Sequence, residues 1–215
     1  MESETNLKTI DGDSRRNLYF LLALLIVAFG LRLYLAITTA YLWDEDRDWI
    51  PLAESISFEP GAINLPVRGD FHGALSAYFI KAGAFLIGNT HLGYRFFGLL
   101  AGVVTIVVVY RLAFEFAGAI AAKLSAVFIA FNEYHIQVST MAIQKVYYLL
   151  FAGLAIYGFC RFLREQSPRW LYLAAVAVGL AFLCYEISWF FGNRCPTPQN
   201  MVVVFKSQVE GIPSC

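Results

Sequence analysis

Apolar residues run in long blocks along this chain. Four of them, at 18–40, 96–113, 119–138 and 146–163, approach the roughly 20 residues that a helix needs to cross a bilayer. A fifth, at 170–187, follows Pro168, a residue well suited to the first turn of a helix. A sixth, at 73–88, is shorter and carries Lys81 near its middle. As a helix it would rise about 24 Å, short of the roughly 30 Å hydrocarbon core. The pattern predicts an all-α membrane protein with about five transmembrane helices, plus interfacial helices in the first outer loop.

Composition agrees. Of 215 residues, 59% are hydrophobic and 15% charged, and the mean hydropathy is +0.59. A soluble domain of this size could not cover so much apolar side chain with polar surface. The net charge is zero, which leaves no bulk electrostatic case for nucleic acid. The first block follows a polar leader holding Arg15 and Arg16. It is long for a cleaved signal peptide and further blocks follow it, so it reads as an uncleaved first helix. The four cysteines are far apart, with no C-x-x-C spacing, and predict neither a disulfide framework nor a zinc site.

Basic residues set the expected orientation. If 73–88 lies in or dips into the outer interface, then Lys8, Arg15 and Arg16 are cytoplasmic. The corner from Arg111 to Lys123 and the turn holding Arg161, Arg164 and Arg169 are then cytoplasmic too, as the positive-inside rule requires. A spanning 73–88 would turn both basic corners outward. The non-spanning arrangement also gathers the unusual polar groups on the outer side: Asp44, Glu45, Asp46, Asp48, Asp70, His72, Glu133, His135, Lys145 and Glu186. The expected location is a cell (inner) membrane, with the site on its outer face.

The chain divides into a cytoplasmic leader at 1–17, a transmembrane module at 18–191 with an outer acidic loop at 41–95, and an atypical tail at 192–215. Within the loop, 48–57 predicts a short surface helix. Asp48 would cap it, Pro51 is tolerated in its first turn, and Trp49, Leu52, Ala53 and Ile56 make an apolar stripe with the tryptophan at headgroup depth. The helix-breaking run from Asn193 to Pro198 gives the tail the look of a truncation or frameshift product.

Chemistry concentrates where the first helix leaves the membrane. Asp44, Glu45, Asp46 and Asp48 are four carboxylates within five residues. Mutual repulsion and membrane proximity are the influences that tune a general base or acid, although a solvated acidic loop has the same composition. Asp70 and His72, two apart, could share a metal or orient one another, and Asp70 equally suits a helix N-cap. Lys145 is either an interfacial anchor or a point charge for a lipid phosphate. Arg32, inside the first helix, is costly there and is expected to snorkel outward or to pair with an acid in the bundle.

The order of these features carries a resemblance. Gly30-Leu31-Arg32-Leu33 precedes Asp44-Glu45, then Asp70-Phe71-His72-Gly73-Ala74-Leu75, Leu86-Ile87-Gly88 and Tyr94-Arg95-Phe96-Phe97-Gly98. Tyr110-Arg111-Leu112 follows, and the stretch from Ala130 to Ser139 completes the series. Over residues 18–188 the chain resembles the amino-terminal half of polyprenyl-phosphate-sugar-dependent glycosyltransferases of the GT-C fold. It is most similar to the protein O-mannosyltransferase and lipid A aminoarabinose transferase group, called glycosyltransferase family 39-like.

The resemblance implies a GT-C-like bundle, truncated relative to full family members. Asp44 and Glu45 match the family's acidic pair, of which Asp44 is the first choice for catalytic base. Asp70, His72, Arg95 and Lys145 are the candidates for substrate binding. The prolines that many members carry after the position of His72 are missing here. Ser139-Thr140 stands where many have Ser-Arg, with Lys145 near the position of an acid. The implied donor is a polyprenyl-phosphate-linked sugar, and the implied acceptor is a hydroxyl on a protein or glycolipid, with membrane lipid around both. The implied reaction is an inverting single displacement. A divalent metal is left open. The 215-residue chain alone is expected to be inactive, because family members have further spans. The competing reading is a non-enzymatic multi-pass membrane protein, such as a transporter fragment or assembly subunit. Transporters often show internal repeats, and none is evident here.

Overall fold

The computed structural model describes residues 2–57 and 74–185. Its elements are all helical: α1 (Glu2–Thr38), α2 (Ile50–Glu54), α3 (Ala74–Ile87), α4 (His91–Phe131), α5 (Glu133–Ser139), α6 (Lys145–Glu165) and α7 (Pro168–Cys184), with a single π turn at Glu45–Trp49 ahead of α2. Three helical stretches are long and apolar enough to cross a membrane, Arg15–Thr38, His91–Phe131 and Lys145–Glu165, and α3 and α7 are shorter apolar helices. The protein is an all-α integral membrane protein.

A straight helix of 41 residues would be about 60 Å long, twice the hydrocarbon thickness. α4 is not straight. Gly118, at φ 78° and ψ −171°, breaks it in a conformation that costs glycine little and other residues much. The two arms, 91–117 and 119–131, then fold back on each other. Ile106 and Tyr110 of the first arm share a core with Ala122, Ala126 and Ala130 of the second, and Leu21, Leu24 and Ala28 of α1 complete it. The buried positions of α1 at 21, 24, 28, 32 and 36 lie on one face at helical spacing.

The second arm ends at Phe131, about two turns earlier than the block at 119–138 predicts. Asn132 is extended (φ −65°, ψ 122°), and its side chain accepts from the His135 N–H to start α5, the ordinary N-cap role of asparagine. α6 and α7 form a hairpin with almost no spacing at Gly158, where a Cβ would press on the Trp170 and Ala174 backbone. Pro168 is the first residue of α7, as predicted.

α3 is fourteen residues long and rises about 21 Å. Gly83 and Gly93 let it lie backbone to backbone on the start of α4; a Cβ on Gly83 would overlap the Gly93 carbonyl. Phe79 stacks on Tyr147 of α6, with ring centroids 4.9 Å apart. The predicted surface helix at 48–57 needs correcting. Asp48 lies inside the π turn, and the α-helix starts at Ile50 with Trp49 at its N-cap position. Trp49 is 4% exposed and belongs to the main core with Ile50 and Ala53, so its ring packs inside the protein.

Candidate functional site

The end of the bundle where α1 stops collects the polar groups. Asp44 and Glu45 are neighbours in sequence with opposite surroundings. Asp44 is exposed, whereas Glu45 is fully buried. A buried carboxylate is tolerable only when paired and hydrogen-bonded, and Glu45 receives four donors. Arg95 Nε and Nη2 donate to its two oxygens at 2.8 and 2.7 Å, the Ala142 N–H donates at 2.7 Å, and the Leu42 N–H at 3.0 Å.

The remaining Arg95 donors finish α1. Nη1 donates to the carbonyls of Ala36 and Thr39 at 3.0 and 2.8 Å, and Nη2 to that of Ala40 at 3.0 Å. These are carbonyls that a helix leaves without partners at its C-terminus, where its dipole also favours a cation. All five N–H groups of Arg95 are thereby engaged. The resemblance makes this residue a substrate-binding candidate, while spacing alone gives it no role; its partner lies fifty positions away, and local pattern carries no trace of it. Tyr41 packs against the same guanidinium, 5.1 Å from ring centroid to carbon, and its ring also lies on His91 at 4.0 Å. Burial pushes the Tyr41 phenol above its ordinary value.

One helical turn deeper, Arg32 departs from expectation. It is fully buried and does not snorkel, and among the described residues it meets no carboxylate. Nε donates to Ser139 Oγ at 3.0 Å, and Nη1 to the carbonyls of Ala28 and Ala130 at 3.2 and 3.0 Å. Nη2 reaches the Ile129 carbonyl at 3.5 Å and His135 Nδ1 at 2.9 Å. A guanidinium has no acceptor, so His135 Nδ1 must accept and its proton sits on Nε2. The break at Asn132 frees the Ile129 and Ala130 carbonyls that Arg32 takes, and with Ser139 and His135 these join α1 to α4 and α5. Gly102 makes room, since a Cβ there would overlap that of Ser139.

Beside this junction lies a cavity of about 540 Å³. Leu31, Leu35, Phe131 and Ile136 give it apolar walls, while Thr39, Glu133 and Gln137 add polar groups. Lys145 begins α6 half-buried, three residues after the Ala142 N–H that holds Glu45. Asp70 and His72 lie outside the described residues, as does Glu186. Among the described residues, no three His, Cys, Asp or Glu side chains come together as metal ligands.

Residues 72–193, more than half of the chain, match the family model described as dolichyl-phosphate-mannose-protein mannosyltransferase. No curated protein and no solved structure matches the chain. The matched span holds Arg95, His135 and Lys145, whereas Asp44 and Glu45 precede it. The Glu45–Arg95 pair and the Ala142 N–H are what fasten the acidic segment to the matched part.

Proposed function

The chain belongs to the dolichyl-phosphate-mannose-protein mannosyltransferase family, and from that membership we propose that it moves a sugar from a polyprenyl-phosphate carrier to an acceptor hydroxyl at the outer face of a cell membrane. Asp44 is the base in this reading. It removes the acceptor proton as the oxygen attacks the anomeric carbon, and the bond from that carbon to the phosphate oxygen breaks. One displacement inverts the anomeric centre. Lys145 meets the charge that grows on the departing phosphate. Asp70 and His72 are assigned to substrate binding by sequence position.

The observation that carries the assignment is the contrast between Asp44 and Glu45. Glu45 is held by four donors from three parts of the chain, which fixes the backbone beside it, while the Asp44 carboxylate stays exposed. A base needs a fixed origin and a free carboxylate. Glu45 and Arg95 are therefore positioning residues, with their hydrogen-bonding capacity used inside the protein. The cavity beside α1 suits the first isoprene units of a carrier, apolar along its walls and polar at Glu133 and Gln137.

The test places Asp44→Asn in the native gene, so that whatever accompanies the chain in its membrane is present. Transfer of radiolabelled sugar from a polyprenyl-phosphate donor is then followed in isolated membranes. Transfer should fall by about 10²-fold or more, with the amount of inserted protein unchanged. Near-normal transfer would remove Asp44 from the base role.

A further inference from the structure

The end of the bundle opposite Glu45 gathers basic side chains from three stretches of the chain. Segments 15–20, 110–124 and 160–170 hold seven arginine and lysine residues and two carboxylates. Both carboxylates are consumed within the protein. Glu115 accepts from Arg161 at 2.7 Å and also from Arg164. Glu165 accepts from Arg161, from Arg169 at 3.1 Å and from the Trp170 indole N–H at 2.5 Å. These pairs tie the end of the first α4 arm to the α6–α7 turn. Arg111, which is exposed, and Lys123, which stands 5.7 Å from the Phe20 ring centroid, meet no carboxylate among the described residues.

Arg111 and Lys123 flank the Gly118 turn, and that turn exposes large apolar side chains. Phe116 is 70% and Ile120 78% exposed. A tip that combines bare phenylalanine and isoleucine with cations is unsuited to bulk water and well suited to the boundary between acyl chains and headgroups. A soluble anion would answer the charge and leave the apolar residues uncovered. An acidic lipid answers both, since basic residues at that boundary are attracted to anionic headgroups.

We propose that the Gly118 turn is a binding surface for acidic phospholipid, with Arg111 and Lys123 on the headgroup phosphate and Phe116 and Ile120 among the acyl chains. This surface lies at the far end from Asp44 and is independent of the glycosyl-transfer reading. Neither cation takes part in an ion pair with a described residue, so replacing them leaves the Glu115 and Glu165 pairs in place.

The experiment uses the full chain in neutral detergent, with bound lipid read by native mass spectrometry. Phosphatidylglycerol should be retained at least about tenfold more strongly than phosphatidylcholine. Arg111→Gln with Lys123→Gln should bring it down to the phosphatidylcholine level, with helical content unchanged. Each single substitution should lose about threefold or more, which keeps the test open if the double variant folds poorly. Equal retention of the two lipids, or phosphatidylglycerol retention that ignores both substitutions, would overturn the proposal. Displacement of the lipid by millimolar inorganic phosphate would also overturn it, in favour of a soluble-anion site.

Discussion

Glu45 and Arg95, fifty residues apart, form a two-pronged ion pair in which the carboxylate is 0% and the guanidinium 1% exposed. Through it the end of α1, the start of α4 and the turn before α6 share one set of hydrogen bonds. Removing one partner of such a pair leaves the other charge uncompensated, at a cost of about 3 to 5 kcal/mol. Glu45→Gln and Arg95→Met should each destabilise the protein by that order in denaturation followed by circular dichroism. The double variant should cost clearly less than the sum of the two. Simple additivity would mean that the pair is not coupled as described.

Arg32 reads five neutral acceptors with five donors, which a lysine ammonium with three donors cannot reproduce. Arg32→Lys should therefore lower stability by about 2 to 4 kcal/mol, since buried acceptors are left unpaired. The same measurement on His135→Phe, which removes one of the five, should show roughly 1 to 2 kcal/mol. An Arg32→Lys variant as stable as the parent would show that these bonds contribute little.

Two helical glycines make a matched pair. A Cβ on Gly102 would run into Ser139, while one on Gly30 meets nothing within 4 Å. Gly102→Ala should cost about 1 to 3 kcal/mol through overpacking between the first α4 arm and Ser139 of α5. Gly30→Ala should be neutral or stabilising by up to about 1 kcal/mol, from helix propensity alone. Thermal unfolding of both in one detergent compares them directly, and equal effects would argue against the close approach at Gly102.

Gln166 ends α6 at φ 52°, a left-handed C-cap that glycine occupies without a Cβ penalty. Its backbone N–H donates to the Phe162 carbonyl at 2.8 Å, and a glycine keeps that bond. Gln166→Gly is expected to raise stability by about 0.5 to 1 kcal/mol. A loss of stability would mean that the side-chain bond from Gln166 Nε2 to the Leu163 carbonyl outweighs the backbone strain.

The placement of helices was legible in the chain because it depends on runs of apolar residues and on local stop signals. The short block at 73–88 became α3 at Ala74–Ile87, and 146–163 became α6 at Lys145–Glu165. Pro168 opened α7, and the gathering of Glu133, His135 and Lys145 with the acidic segment followed from counting crossings. The family resemblance, carried by the order of degenerate motifs, agrees with the match over 72–193. What the tertiary structure alone decided was the fate of individual charges. Asp44 and Glu45 share composition, loop and membrane end, yet one is exposed and the other is locked on Arg95. Arg32, expected to snorkel outward or to pair with an acid, instead takes neutral acceptors, two of them carbonyls freed by the break at Asn132. Such outcomes rest on partners fifty to a hundred residues distant, brought within 3 Å by helix packing. Desolvation then makes each unpaired charge costly enough to settle which residue turns inward.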